Sequence, residues 1–229
     1  MKKHLLLNII LSIGLLSSCQ AATKNQKPMY SIIYHDVLLE EAKEAIRNND
    51  EHITPIYQAI KRYVDTVSLH MKPLSVASEN KKNIAPSKDP RDYITLSPYW
   101  WPDPSKADGL PYIRDDGKRN PEVYEYPERV NSTLFAENAE LLALMYFFTG
   151  EEKYAAKAAE LVRVWFLDPV TGMNPNMTYA QHVPGMQHIR GTGIIDSRRF
   201  LKALNAAKII ESSSSWSSED KKELQDWAK

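Results

Sequence analysis

The sequence predicts an all-α protein built from antiparallel helix hairpins, with long functional loops gathered on one rim. Three observations lead there. Apolar residues recur at helical spacing in six segments. No segment alternates as a strand should. Two long stretches, 87–122 and 168–192, interrupt the helical pattern, the first being too rich in Pro, Gly and Asp for a helix. Such an arrangement suggests an α/α toroid or a solenoid, but the helix pairs share no repeated consensus at a fixed period.

The chain opens MKKHLLLNIILSIGLLSSCQ, in which Lys2 and Lys3 precede an apolar run, Leu5 to Leu16, too short to span a bilayer comfortably. Leu16-Ser17-Ser18-Cys19 resembles a bacterial lipobox, whose cysteine is lipidated after cleavage. Residues 1–18 therefore read as a lipoprotein signal peptide, 19–29 as a tether and 30–229 as the helical domain. Cys19 is the only cysteine, so no disulfide forms within the chain. The implied location is the periplasm or outer membrane, at a membrane surface through the lipid anchor.

The first helix runs from Tyr34 to Asn48, with apolar residues at 34, 38, 42, 45 and 46. Thr54-Pro55 reads as the start of the second, Thr54 as cap and Pro55 in the first turn, fading near His70. Helical signals resume at Val130, with Asn131, Ser132 and Thr133 as cap candidates. Leu134, Leu141, Leu142, Leu144, Met145, Phe147 and Phe148 then crowd every face, as in a helix buried all round. Thr149-Gly150 ends it. A fourth helix carries Tyr154, Ala158, Leu161, Val162 and Trp165 inward and stops at Asp168-Pro169. A fifth spans Ile194 to Glu211, and a sixth is capped by Ser217 or Ser218. At the end of the chain, Leu224 and Trp227 are expected to lack partners.

The organising stretch is the loop SKDPRDYITLSPYWWPDPSKADGLPYIRDDGKRNPE, 87–122. Disordered segments are poor in aromatics, so a loop holding Tyr93, Tyr99, Trp100, Trp101 and Tyr112 reads as packed. Two roles fit Trp100 and Trp101: flat platforms for sugar rings, or pins holding the loop onto the helices. The run DYITLSPYWWPDP, then GLPYIRDDGKRNPE, and later MNPNMTYAQHVPGMQHIRGTGIID (173–196) resemble the alginate lyase superfamily of bacterial polysaccharide lyases. The resemblance covers about Tyr30 to Lys229, the amino-terminal portion of that family. It implies the toroid, and an acidic polysaccharide or oligosaccharide, alginate or another uronate polymer, cleaved by β-elimination.

That reaction needs a group to neutralise the uronate carboxylate, a base for the C5 proton and an acid for the departing oxygen. Asn174, Asn176, Tyr179, Gln181, His182, His188 and Arg190 lie close together in the second block, where Gly185, Gly191 and Gly193 would let the backbone approach a ligand. Tyr179 and His182 are the catalytic candidates. Arg91, Tyr99, Trp100, Trp101, Arg114, Asn176, Gln181 and Arg190 are the candidates for substrate binding. Asp196 reads as a turn or cap group, or as a tie for Arg190. Two departures from the family pattern stand out: Arg91 replaces an expected His, and Lys88 an expected Gly. The Asn-Asn-His signature and the later Arg and Tyr pair that carry elimination in the family are not found after Ala180. The expectation is thus a lyase shortened at its carboxyl end and weakly active or inactive. The alternative is a non-catalytic helical glycan-binding lipoprotein.

Lys and Arg number 29, as do Asp and Glu, so no global charge favours nucleic acid or a polyanion, and a grip on an acidic polymer must be local. No phosphate-binding loop, dinucleotide fingerprint or paired-cysteine zinc site is present, so neither cofactor nor metal is expected. The reading of Cys19 is directly testable. A Cys19→Ala variant should leave the membrane fraction in cell fractionation, and continued attachment would contradict lipidation.

Overall fold

The structure, a computed structural model, describes residues 29–79, 81–187 and 190–229. The signal segment, Cys19, the tether before Met29, and His188 lie outside the described residues. The helices are α1 (Asp36–Arg47), α2 (Ile53–Thr66), α3 (Glu128–Thr149), α4 (Glu152–Val162), α5 (Ile194–Ser197), α6 (Phe200–Ile209) and α7 (Ser218–Trp227). Against expectation, four short strands also form: β1 (Ile94–Leu96), β2 (Trp100–Trp101), β3 (Ile113–Arg114) and β4 (Tyr179–His182). At two to four residues they are too short to show a period in sequence. Their partners come from distant loop segments.

The helical frame is centred on α3, which packs against α2, α4 and α6. It begins at Glu128, so Asn131, Ser132 and Thr133 are helix residues rather than caps. Nor is it buried all round, since Val130 and Leu134 are exposed near its start. Gly150 ends it in the left-handed conformation, φ 73°, which a residue without Cβ adopts at little cost. The start of α2 also differs from expectation. The Asp50 carboxylate accepts the backbone N–H groups of His52 and Ile53, both at 2.9 Å, so the helix begins one residue before Thr54.

An aromatic nucleus joins the later elements. Phe135 of α3 stacks on Trp165 with ring centroids 4.8 Å apart and planes 6° from parallel. Phe166 meets Phe135, Phe200 of α6 and Trp227 of α7. Consecutive Trp165 and Phe166 are both buried because the chain leaves α4 through a widened π turn, Arg163–Leu167. Trp227 donates its Nε1–H to the Met173 carbonyl at 2.6 Å, and Leu224 is buried. Both residues thus find partners, contrary to expectation.

Polar groups fasten the frame at two further points. Lys81 and Glu128 are almost wholly buried and pair at 2.8 Å. Lys81 also donates to the carbonyls of Pro90 and Asp92, each at 2.7 Å, and so ties the loop to the first turn of α3. On the far side, Ser217 caps α7 in a reciprocal capping box with Asp220. Asp220 accepts Arg163 Nε at 2.6 Å and a second guanidinium nitrogen at 2.7 Å.

The Arg163 guanidinium holds the Asp220 carboxyl at about 2, below its ordinary 3.8. A depressed carboxylate stabilises the fold above its unfolded value, and the contribution disappears as pH falls through 3.8 towards 2. A shift of this size corresponds to about 2 kcal/mol. In denaturant melts above about pH 5, Asp220→Asn should therefore be less stable than the parent by that order. The gap should close as pH falls to about 2. A gap independent of pH would contradict the ion-pair account.

Candidate functional site

The two long loops meet in the β1–β4 ribbon. These strands run parallel, pairing Ile94 with Tyr179 and Leu96 with His182, and the register is irregular between the two pairs. The irregularity lies at Gln181, whose φ is +57°, a left-handed conformation uncommon for a residue with a side chain. Three side chains, Thr95, Ser97 and Asp196, hold it. Thr95 Oγ1 accepts the Gln181 backbone N–H at 2.9 Å, and Ser97 Oγ donates to its carbonyl at 2.6 Å. Gln181 Nε2 donates to Asp196 Oδ1 at 2.8 Å, and Thr95 Oγ1 donates to Asp196 Oδ2 at 2.6 Å.

Asp196 is fully buried and also pairs with Arg199 at 2.8 Å. The chain turns at Arg198 and Arg199, so the expected fifth helix is divided into α5 and α6. Asp196 is thus structural, but it lies within α5 rather than at its cap, and its cationic partner is Arg199 rather than Arg190.

Beside this knot lies a cleft of about 440 Å³. Tyr99 and Trp100 supply its aromatic wall, and Arg114, Arg129 and Arg190 its charge. Gln181, Ser97, Pro98, Thr192 and Ile195 complete the lining among the described residues, none of it a carboxylate. The Arg190 guanidinium sits 5.0 Å from the centre of the Trp100 ring and donates to Ser97 Oγ at 2.8 Å. Its pKa is lowered by burial and by the neighbouring charge of Arg114, so it gains from any added anion. Arg114 lies opposite Trp100 in the antiparallel β2–β3 pair and binds Asp116 at 2.8 Å on the exposed side of the hairpin. Tyr99, Trp100, Arg114, Gln181 and Arg190 therefore come together as the sequence leads one to expect.

The other expected residues go elsewhere. Tyr179 and His182 line a separate cleft of about 590 Å³ with Thr178, Met186 and Gln187. The left-handed turn at Gln181 parts Tyr179 from Gln181, which regular alternation would put on one face, whereas His182 would face away from Gln181 by alternation alone. Burial pushes the His182 pKa down from its ordinary 6.5, which favours the neutral imidazole. Trp101 donates Nε1–H to the Lys118 carbonyl at 2.8 Å with the Lys118 ammonium over its ring, and so pins the hairpin. Arg91 bonds Asp89 and the Pro169 carbonyl. Asn176 donates to Asp92 and accepts the Thr178 N–H. Neither Arg91 nor Asn176 lines the arginine cleft.

Of the three glycines expected to approach a ligand, Gly185 and Gly193 approach the chain itself, while a Cβ on Gly191 would meet nothing within 4 Å among the described residues. A Cβ on Gly185 would lie 2.6 Å from Pro111, and one on Gly193 2.7 Å from the Met177 carbonyl. Lys88, where the family resemblance expects glycine, has a left-handed φ of 66°. Sequence reading missed Arg129, Thr192 and Ser97. Arg129 was legible only as a charge before an apolar helix, and Ser97 and Thr192 as ordinary loop residues. Among the described residues, no group of three or more His, Cys, Asp or Glu is placed to hold a metal.

Comparison with known proteins places this geometry. A sequence model of the family described as alginate lyase matches residues 77–229. The crystal structure of an alginate lyase from Bacteroides ovatus is similar with a TM-score of 0.77 and 40% identity. The similarity covers 86% of this chain and 51% of that one, so the chain spans about half the length of its structural relative. No protein of curated function matches the sequence. With a family match over most of its length, the chain belongs to the alginate lyase family.

Proposed function

We propose that this protein binds alginate or a related uronic-acid polymer in the arginine cleft, as the amino-terminal portion of a polysaccharide lyase that works by β-elimination. The observation that carries the reading is the lining itself: three guanidinium groups and two aromatic rings, with no carboxylate between them. A uronate ring has an apolar face for Trp100 and Tyr99, and a carboxylate for the arginines. Charge-assisted hydrogen bonds from a planar guanidinium suit that carboxylate. Drawing charge from the carboxylate also acidifies the C5 proton, the first requirement of elimination.

Completing the reaction requires a base and an acid within reach of that same sugar ring. Tyr179 and His182 have the right chemistry, and a neutral His182 suits proton abstraction. They open into a different cleft from the carboxylate-binding groups. The 229-residue chain is accordingly a good binder and a weak or inactive lyase, its helices forming part of an α/α toroid. The same separation supports a second reading, a glycan-binding protein without catalysis. In either case Cys19 anchors an exported lipoprotein at the periplasmic or outer-membrane surface.

Two measurements on the purified chain test this proposal. Calorimetry with short oligouronates should detect binding, and Trp100→Ala should weaken it roughly tenfold, or about 1.4 kcal/mol, with helical circular dichroism intact. Collapse of the fold, or unchanged affinity, would contradict the platform role. The ultraviolet absorbance of the unsaturated product on alginate, polymannuronate, polyguluronate and glucuronan should stay near background. Robust turnover would exclude the binding-only reading and direct attention to Tyr179→Phe and His182→Ala.

A further inference from the structure

The three arginines of the cleft are not equivalent. Arg114 is largely exposed and already paired with Asp116, so its charge is both solvated and compensated. Arg190 is committed to Ser97 Oγ and the face of Trp100. Arg129, in the first turn of α3, is different. Among the described residues it makes no ion pair, and its Nη1 is buried without a hydrogen-bond partner. Thr192 Oγ1, lining the same cleft, is also buried and has no hydrogen-bond partner among the described residues.

Nearby charges do not resolve this. Burial lowers the Arg129 pKa, as do Arg199 and Arg119, while Asp196 and Tyr93 act in the opposite sense. The Asp196 oxygens are taken by Thr95, Gln181 and Arg199. Buried donors left unpaired are costly, and a buried cation without a partner more so. A ligand that brings an anionic oxygen to this floor would satisfy both groups.

We infer that Arg129 and Thr192 form the carboxylate-reading floor of the cleft and determine its preference for a uronate over the corresponding neutral sugar. The inference rests on the uronate reading of the cleft and deepens it. Arg190 and Trp100 hold the ring face, which uronate and neutral sugars share. Arg129 meets the group in which they differ, and Thr192 adds a hydroxyl donor beside it. Replacing Arg129 with Met, of similar reach and no charge, removes discrimination without removing the aromatic wall.

The test uses the full chain with tetramannuronate and its uncharged counterpart, β-1,4-mannotetraose, by calorimetry and thermal melting. Arg129→Met should lower tetramannuronate affinity roughly 10- to 100-fold and Thr192→Val roughly 3- to 10-fold, both leaving mannotetraose affinity unchanged. Without ligand, Arg129→Met should melt at or above the parent temperature, because a half-buried charge with an unpaired donor is gone. Equal losses for both sugars, or undiminished tetramannuronate binding in both variants, would overturn the assignment while leaving the uronate reading intact. A lower melting temperature or loss of folding in Arg129→Met would mark a structural arginine and overturn it also. If the parent protein binds no tetramannuronate, the uronate reading itself falls, and this assignment with it.

Discussion

The site depends on one buried carboxylate. Asp196 receives Thr95 from β1, Gln181 from β4 and Arg199 from the turn before α6, so one side chain joins both long loops to the helical frame. Each of these bonds is made out of contact with water, where an unmade partner is expensive. The left-handed backbone at Gln181 persists because its N–H, carbonyl and side chain are all held. From that residue the geometry propagates outward. The Gln181 carbonyl accepts Ser97 Oγ, Ser97 Oγ accepts Arg190, and Arg190 lies over Trp100.

The arrangement gives the cleft its chemistry. An overall net charge of zero offers no long-range attraction for a polyanion. The local field is another matter, because every charged residue lining the cleft is an arginine. A planar guanidinium is less strongly hydrated than an ammonium and stacks on aromatic rings, as Arg190 does on Trp100. The cleft is thus prepared for a ligand that is flat on one side and anionic at its edge.

Much of the frame was legible in the sequence. The helices announce themselves through helical spacing, Gly150 through its place after α3, and Ser217 through the capping pattern. What escaped was set by contacts between distant residues. The stretch around Lys81, SENKKN, is polar throughout, and nothing in it marks that the Lys81 ammonium is buried against Glu128, where two carbonyls and a carboxylate converge. Trp100 and Trp101 look equivalent in sequence, but the β2–β3 hairpin sends one to the cleft and the other to Lys118. Tyr179, Gln181 and His182 look like one cluster, but strand alternation and the left-handed turn at Gln181 together divide them between two clefts. Arg129 could be judged only once the partners of every neighbouring charge were known.

The central claim is that a uronate lies on the arginine cleft, with its ring on Trp100 and its carboxylate over the floor. A crystal structure of the full chain with a bound tetrauronate tests it most directly. The account predicts a sugar face stacked on Trp100 and a carboxylate oxygen about 2.7–2.9 Å from a guanidinium nitrogen of Arg129. An oligosaccharide seated instead in the Tyr179–His182 cleft, with the arginine cleft empty, would contradict it.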